Sequence, residues 1–310
     1  AAQSAIEARV DHIVATGSSA TGRAVARAAA ETLTPCTLEC SGSDAVIVLP
    51  GADTDRVAQC VAWGLTLNAG ATCIGPRRLL AVGDEPSDRI IDRLDPDATW
   101  SVPEAVAEAV RRVVGSEIDG GAKWYSPAGF DRAKLDAACD ARQLPAMVLM
   151  SGLDDPAIAK SDLFAPVLSL DMARNAEEAV RLANASPYAL GASVFGPAAE
   201  ALAVAKRLRA GCVTVNDLIA PTADPDLPFG GTGESGYGVT RGAEGLLAMT
   251  RPQAIIRRRG NWLPHLDKPT PALDDLIAGL IQSQHQTGLA ARLRGMRRLI
   301  AAAMAHRKHK

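Results

Sequence analysis

The chain has 310 residues, of which 47% are hydrophobic, and a formal net charge of -2. This length and composition suffice for one large domain or two ordinary ones, each with a buried core. The small net charge provides no cationic field over the whole chain, so we expect no nucleic-acid partner. We find no signal-peptide-like start and no run near the ~20 apolar residues of a membrane-spanning helix, which predicts a cytoplasmic protein.

Six cysteines are spread along the chain, at Cys36, Cys40, Cys60, Cys73, Cys139 and Cys212. Their wide spacing is not that of a secreted disulfide scaffold, so a reducing compartment fits best. Cys36 and Cys40 lie four positions apart with no second Cys or His pair nearby, and we therefore expect no metal site.

The first 70 residues alternate between strand and helix patterns. A strand at 12–16 is followed by the glycine turn Gly17-Ser18-Ser19-Ala20-Thr21-Gly22 and an Ala-rich helix to about Leu33. Strands at 37–39 and 45–49 and a helix over 53–68 come next. Such alternation predicts an α/β fold with a mainly parallel sheet covered by helices.

The same alternation returns after a less regular segment between Leu79 and Asp155. That segment predicts helices over 102–114 and 132–142 and a strand over 146–150. Further along, we predict strands at 167–170, 192–195 and 212–215 and helices at 176–184 and 198–210. A Gly-rich loop over 228–236 follows.

The end of the chain has a different composition. Residues 253–256 predict a last strand, and residues 284–308 predict an amphipathic helix with many Arg and Lys residues. This helix either packs as a solvated end of its own domain or makes weak contact with an anionic membrane surface.

Cys73 follows a predicted helix end and a glycine turn, where a side chain can reach a cleft. A thiolate is far more nucleophilic than a hydroxyl at neutral pH, which suits Cys73 to covalent catalysis. Taken by position alone, Cys73 is equally consistent with a small buried apolar residue, and Glu39 with a surface carboxylate at a strand end.

Several motifs together resemble the aldehyde dehydrogenase superfamily. Leu38-Glu39 with Ser41-Gly42, and Asn68, Gly70 and Cys73 with Pro76-Arg77, are similar to its two active-site motifs and stand in the family's order. The segments 162–167, 184–195, 211–216 and 228–236 are similar to later family motifs. By this resemblance Cys73 is the nucleophile, and Glu39 is the general base that activates the deacylating water.

The resemblance also implies a cofactor site for NAD or NADP and a site for a small-molecule aldehyde. Gly17, Ser18 and Gly22 match the turn that holds the nucleotide, at a helix N-terminus. Asp162 and Phe164 match the residues at the nicotinamide and its ribose, with Asp162 standing where the family has Glu. Asn68 and Phe229 match substrate-binding positions.

The resemblance predicts an aldehyde dehydrogenase-like catalytic domain with a mainly parallel sheet, plus a remnant of a Rossmann-type domain. We assign residues 1–38 to this remnant of the dinucleotide-binding domain, 39–250 to the thiol-bearing catalytic domain, and 251–310 to an oligomerisation strand and a basic tail. A homo-oligomer is implied. The chain begins with Ala and lacks the family's preceding region, so we expect it to be inactive or nearly so by itself.

Two other functions stay open at this point. An acylating dehydrogenase passes the thioester to coenzyme A, but such relatives do not rely on a deacylating glutamate, so Glu39 favours water. A non-catalytic paralogue or fragment, serving as an assembly or membrane-surface interaction module, is the alternative of a different class.

Overall fold

A computed structural model describes residues 2–83, 86–125, 131–150, 157–258, 263, 266 and 268–308. The chain divides into two units, Ala1–Arg251 and Pro252–Lys310.

The first unit contains all the strands of the described residues. They are β1 Ile13–Gly17, β2 Cys36–Cys40, β3 Asp44–Val48, β4 Pro76–Ala81, β5 Trp100–Ser101, β6 Lys123–Tyr125, β7 Gln143–Leu144, β8 Met147–Met150, β9 Val167–Met172, β10 Tyr188–Ala189, β11 Gly191–Phe195, β12 Cys212–Val215, β13 Thr232–Gly233 and β14 Gly236–Tyr237.

Nine of the described α-helices belong to the first unit. They are α1 Ala2–Glu7, α2 Ser19–Ala30, α3 Thr54–Thr66, α4 Ser87–Ile91, α5 Glu104–Asp119, α6 Arg132–Ala141, α7 Ala176–Asn184, α8 Ala198–Ala205 and α9 Gly242–Ala248. The second unit holds α10 Pro271–His285 and α11 Leu289–Lys308.

The main sheet has seven strands in the order β12-β11-β3-β4-β9-β8-β6. All neighbouring pairs are parallel except β8 and the edge strand β6, which are antiparallel. This architecture confirms the predicted α/β fold with a mainly parallel sheet.

Helices cover both faces of this sheet because its central strands are apolar on both sides. Val46 and Val48 of β3 pack with α3 residues such as Val61 in one core cluster. Ala45 and Ile47, which point the other way, pack with α7 and α8. Because successive side chains of β3 point to opposite faces of the sheet, this strand contributes to two cores.

A smaller sheet, β1-β2-β14, carries the Glu39 strand. β1 and β2 are parallel, and β14 pairs antiparallel with β2 so that Gly236 lies opposite Glu39. The Gly-rich loop of residues 228–236 is thereby brought beside Glu39, from which it is far removed in sequence.

The bounds of several elements match the sequence predictions. α7 and β12 have the predicted ends. Asn175 explains the start of α7, because its side chain accepts a hydrogen bond from the backbone N–H of Glu178. This is the cap expected of Asn just before a helix.

The predicted strand over 253–256 is wrong for the single chain. Residues 251–258 have no regular secondary structure, and Ile255 and Ile256 are 83% and 91% exposed. A strand needs a neighbouring strand for its backbone hydrogen bonds, and none of the described residues supplies one here. α10 was not predicted, and α11 begins at Leu289 instead of near residue 284.

Among the described residues, no helix has both the length and the apolar character needed to cross a membrane.

Candidate active site

A cavity of about 580 Å³ in the first unit brings most of the predicted site residues together. Cys73 and Glu39 both line it, as do Gly17, Ser18, Asp162, Phe164 and Phe229. The other lining residues are Thr16, Cys40, Ser41, Ala71, Ala105, Val106, Ala109, Leu163 and Leu190. The sulfur and the carboxylate that the sequence pairs as nucleophile and base thus share one space.

The backbone before Cys73 turns sharply after α3. Asn68 and Ala69 adopt left-handed φ angles of 52° and 58°, and Gly70 has φ +74°. A Cβ at Gly70 would lie 2.3 Å from the carbonyl carbon of Ala165, which is far inside contact distance. Only glycine fits this turn, and the turn directs the following residues to the cavity.

Arg77 fixes the same loop from the protein interior. Its buried guanidinium donates to the carbonyl oxygens of Ala165 at 3.3 Å, Thr72 at 3.2 Å and Gly70. Burial lowers the pKa of Arg77 to about 10, whereas the nearby Asp162 and Asp44 favour its charge. The guanidinium is a rigid fork with five N–H donors, so Arg77 can hold several carbonyls of the loop at once.

Glu39 is held by the loop that follows the glycine-rich segment. The Thr240 hydroxyl donates a hydrogen bond to the Glu39 carboxylate. The backbone N–H of Thr240 donates to the Phe229 carbonyl at 2.9 Å, and the hydroxyl lies 3.3 Å from the same oxygen. Thr240 therefore connects Glu39 with the backbone of Phe229.

The surroundings of Cys73 favour the neutral thiol. Burial raises the pKa of Cys73, and the negative charges of Asp44 and Glu39 raise it further. The backbone amides of Ile74 and Cys73 act in the opposite direction by donating to the sulfur. Because the thiolate is the reactive form, a proton acceptor in the cavity would assist attack by Cys73.

Asp44 is a buried carboxyl beneath the Cys73 loop. Burial raises its pKa to about 7, although the Gly191 N–H and the charges of Arg77 and Arg78 lower it. The Gly191 N–H donates to Asp44 Oδ1 at 3.1 Å. Asp44 therefore changes its charge near neutral pH, within electrostatic reach of Cys73.

One end of the cavity has features that fit a nucleotide. Gly17 and Ser18 lie at the start of α2, where backbone N–H groups and the helix dipole favour anions. The Ser18 side chain accepts a hydrogen bond from the Thr21 N–H at 3.2 Å and so caps this helix.

Asp162 provides a second feature that fits a cofactor. Its Oδ1 is buried without a hydrogen-bond partner among the described residues. Burial raises the pKa of Asp162 more than Ser41 and Arg77 lower it. A buried acceptor of this kind is costly unless a ligand donates to it, and a ribose hydroxyl is such a donor.

Phe229 lies at another part of the cavity wall and is 6% exposed. The Arg241 guanidinium carbon stands 4.5 Å from the centre of its ring, which fixes the ring by a cation–π contact. The ring is thus both part of the cavity wall and part of the packing.

Two predicted site residues lie outside the cavity lining. Gly22 is buried in α2, where a Cβ would lie 2.5 Å from the Cys40 sulfur, so its small size allows the helix to approach β2. Asn68 is exposed, and its Nδ2 donates to the Ala71 carbonyl at 3.0 Å. In this structure Asn68 shapes the turn that precedes Cys73.

Thr240 and the lining of α5 were not found from the sequence. Ala105, Val106 and Ala109 line the cavity, while Ala107, Val110 and Val114 of the same helix face a core. The apolar positions of α5 cover two sides of the helix, and this pattern is a signal that one side faces something other than the core.

Among the described residues, no group of three or more His, Cys, Asp or Glu side chains is placed to hold a metal ion.

The family model of the aldehyde dehydrogenase family matches residues 2–255. The chain belongs to the aldehyde dehydrogenase family. The match covers all of the cavity-lining residues and ends just after the first structural unit.

Similar proteins support this membership. The succinate-semialdehyde dehydrogenase [NADP(+)] of Deinococcus radiodurans is 34% identical over 264 residues, which are 80% of this chain and 53% of that protein. A salicylaldehyde dehydrogenase from Pseudomonas putida G7, solved in complex with salicylaldehyde, is 26% identical, with a TM-score of 0.72 over 85% of this chain and 56% of that one. An aldehyde dehydrogenase of Mycobacterium tuberculosis, solved in complex with NAD+, is 29% identical, with a TM-score of 0.71 over 82% of this chain and 54% of that one.

The chain spans about half the length of these relatives. The shared half includes the sheet, the cavity and both active-site motifs, so the likeness in fold is established for the part that carries the thiol.

Proposed function

We propose that this chain carries the thiol-bearing half of an aldehyde dehydrogenase that oxidises an aldehyde to a carboxylic acid with NAD or NADP. The observation that supports this most directly is the common cavity of Cys73 and Glu39. A nucleophile and a base that share one apolar space suit formation and hydrolysis of an acyl-enzyme.

In the first step the Cys73 thiolate attacks the aldehyde carbon. The carbon–oxygen double bond becomes a single bond, and a thiohemiacetal forms on the sulfur. The backbone amides of Ile74 and Cys73 already donate towards the sulfur and favour the thiolate. The thiol proton passes to solvent, and Glu39 acts only in the later step.

NAD+ or NADP+, when bound, would supply a hydride acceptor for the thiohemiacetal carbon, and Cys73 would then hold the product as a thioester. Gly17 and Ser18 would hold the pyrophosphate at the start of α2. Asp162 would accept a hydrogen bond from the ribose, and Phe164 lines the same cavity. One Mycobacterium tuberculosis relative was solved with NAD+, and the Deinococcus radiodurans relative is named for NADP+.

In the last step a water molecule hydrolyses the thioester. Glu39 takes a proton from the water as the oxygen attacks the acyl carbon, and the carbon–sulfur bond breaks to release the acid and the Cys73 sulfur. The Thr240 hydroxyl orients the Glu39 carboxylate for this step. Thr240 is therefore a positioning residue, and Asn68 is another because it shapes the Cys73 turn.

The charge of the cavity favours neutral aldehydes. Its two ionisable carboxylates are Glu39 and Asp162, and no Lys or Arg is among the lining residues. Val106, Leu163, Leu190 and Phe229 give it apolar walls. An aldehyde with an apolar body fits these walls better than one with a second carboxylate, which the two acidic residues would repel.

We keep the domain assignment of 1–38, 39–250 and 251–310 as part of this proposal, together with a homo-oligomer in the cytoplasm. In an oligomer, a strand of a second copy would pair with residues 253–256, for which the described residues of one copy provide no neighbouring strand.

Aldehyde-dependent reduction of NAD+ or NADP+ by the purified chain tests the proposal, with neutral and carboxylate-bearing aldehydes compared. We expect slow reduction that is abolished in Cys73→Ser and limited to about one turnover in Glu39→Gln. Undiminished reduction in Cys73→Ser would refute the role of the thiol, and turnover by Glu39→Gln at the wild-type rate would refute the role of the base.

A further inference from the structure

The charge of the chain is divided unequally between its two units. Pro252–Lys310 contains eleven Lys and Arg residues and three Asp residues, a formal charge of +8, whereas the whole chain carries -2. Residues 1–251 therefore carry -10. Six of the eleven Lys and Arg residues lie in α11 and two of the three Asp residues in α10, so the two helices together carry +4, beyond the part of the chain that the family model matches.

α11 has three distinct sides. Gly295 and Ala302 are buried, and this side faces α10. Arg294 and Arg297 lie on a second side and form no ion pair with a described residue. The third side is an exposed apolar stripe at helical spacing, formed by Leu289, Leu293, Met296, Ile300 and Met304.

α10 continues this apolar stripe. Its buried side includes Leu276 and Gly279, and its exposed apolar residues are Ile277, Leu280 and Ile281. Gly279 and Gly295 face each other where the two helices meet. When about 100° is counted per residue from these glycines, the exposed apolar residues of both helices fall on the same side of the antiparallel pair. We call these eight residues the apolar face of the hairpin, and each is between 41% and 76% exposed.

The two helices form a close and well-fixed pair. A Cβ at Gly279 would lie 2.5 Å from the Leu299 nitrogen, and one at Gly295 would lie 2.5 Å from the Ser283 nitrogen. The Arg298 guanidinium donates to Asp275 at 3.0 Å on the side away from the apolar face. The apolar face is thus present before any partner binds, so binding requires little additional ordering.

We propose that the hairpin of α10 and α11 binds the surface of an anionic lipid bilayer through its apolar face. Eight exposed aliphatic and Met side chains would enter the interface between headgroups and acyl chains, and the surrounding arginines would attract the anionic headgroups. No described helix is able to cross a membrane, so the hairpin would lie in the plane of the surface.

The charge of the hairpin favours lipid over other occupants of the apolar face. Two copies of the hairpin joined face to face would bring two net charges of +4 together, and like charges oppose such pairing. The phosphates of a nucleic acid would pair with the arginines, but the aliphatic side chains would stay exposed to water. An anionic lipid surface can both pair with the arginines and cover the aliphatic side chains.

Co-sedimentation of the full chain with vesicles tests this proposal. The vesicles are phosphatidylcholine alone or phosphatidylcholine mixed with phosphatidylglycerol, at low and high salt. We expect at least about tenfold tighter binding to the anionic vesicles, weakened by salt because screening reduces the attraction.

Two variants separate the apolar and the electrostatic contributions. The double variant Leu293→Gln with Ile300→Gln should weaken vesicle binding at least about tenfold, and Arg294→Glu with Arg297→Glu should abolish the preference for anionic lipid. Ala301→Gln, an exposed substitution on the charged side of α11, is the matched control and should bind as the wild type does. Helical circular dichroism confirms that each variant is folded.

Equal binding to both kinds of vesicle, or no binding to either, would overturn the proposal. So would a concentration-dependent dimer that Leu293→Gln with Ile300→Gln dissociates while vesicle binding is absent, because the apolar face would then join two copies of the chain.

Discussion

The Thr240 hydroxyl donates a hydrogen bond to the Glu39 carboxylate across 201 residues of sequence. It does so because β14 pairs with β2, so that the segment after the glycine-rich loop lies next to the Glu39 strand. The same threonine is bonded through its N–H to the Phe229 carbonyl. The direction of the Glu39 side chain is therefore coupled to the backbone of the cavity wall.

Removing the Thr240 hydroxyl should slow the step that needs Glu39. In Thr240→Val, which keeps the shape of the side chain, we expect deacylation to be about tenfold slower, since a hydrogen bond to a charged group contributes roughly 1.5 to 3 kcal/mol. Formation of the acyl-enzyme should change little. Stopped-flow measurement of the two phases with an activated ester separates these rates.

Thr240→Ser is the matched control, because it keeps the hydroxyl and should retain most of the deacylation rate. If the valine variant deacylates as fast as the serine variant, Thr240 does not position Glu39.

The turn at Gly70 should tolerate no side chain. In Gly70→Ala the new Cβ would meet the backbone of Ala165 and Pro166, and φ is +74°. We expect a loss of about 3 kcal/mol or more in the free energy of unfolding and a displaced Cys73 that acylates poorly. Urea unfolding and ester kinetics measure these two effects.

Gly121→Ala provides the control for backbone strain alone. Gly121 also has a positive φ, of +94°, but nothing lies within 4 Å of its added Cβ. We expect a loss of about 1 to 2 kcal/mol and normal acylation. Equal effects of the two substitutions would show that contact with Ala165 is unimportant.

Asp44 should make stability depend on pH between about 4 and 7. Its pKa rises from 3.8 to about 7 on folding, so the folded chain binds a proton that the unfolded chain has released. This stabilisation is complete below about pH 4 and is lost as the pH rises to about 7. It amounts to on the order of 4 kcal/mol at about 1.4 kcal/mol per pKa unit.

Asp44→Asn isolates this effect, because the amide oxygen still accepts from the Gly191 N–H but carries no charge. Urea unfolding of both proteins across this pH range should give a difference in unfolding free energy that moves in favour of the asparagine variant as the pH rises. A constant difference would contradict the raised pKa of Asp44.

The charge on Asp44 should also slow alkylation of Cys73. Burial, Asp44 and Glu39 raise the pKa of Cys73, so the fraction of thiolate at neutral pH is smaller than in a free thiol. We expect Asp44→Asn to react several-fold faster with iodoacetamide at about pH 8, as measured by mass spectrometry of the Cys73 peptide. An unchanged rate would mean that Asp44 has no influence on the sulfur.

The sequence was most informative where local signals and spacing agree. The helix over 176–184 was predicted with its true bounds, and in the structure the Asn175 cap accounts for its start. The placement of Cys73 and Glu39 followed from two motifs in the family's order, and the structure places both on one cavity.

Features that depend on distant contacts were missed. Nothing local to Thr240 indicates that its hydroxyl reaches Glu39, since this contact depends on the pairing of β14 with β2. The pattern over 253–256 is that of a strand, but backbone pairing requires a neighbouring strand, which the described part of the chain does not supply. The local sequence pattern determines whether a segment favours helix or strand, whereas contacts with other segments determine whether that helix or strand forms.

The most direct test of the joint action of Cys73 and Glu39 is mass spectrometry of the chain during hydrolysis of p-nitrophenyl acetate, a reaction that needs no nicotinamide. We predict that the wild type releases p-nitrophenolate in a burst followed by turnover. Glu39→Gln should give the burst and then accumulate an acetyl group on Cys73, and Cys73→Ser should give no burst. Rapid loss of the acetyl group from Glu39→Gln, or its location on a different cysteine, would contradict the shared role of these two residues.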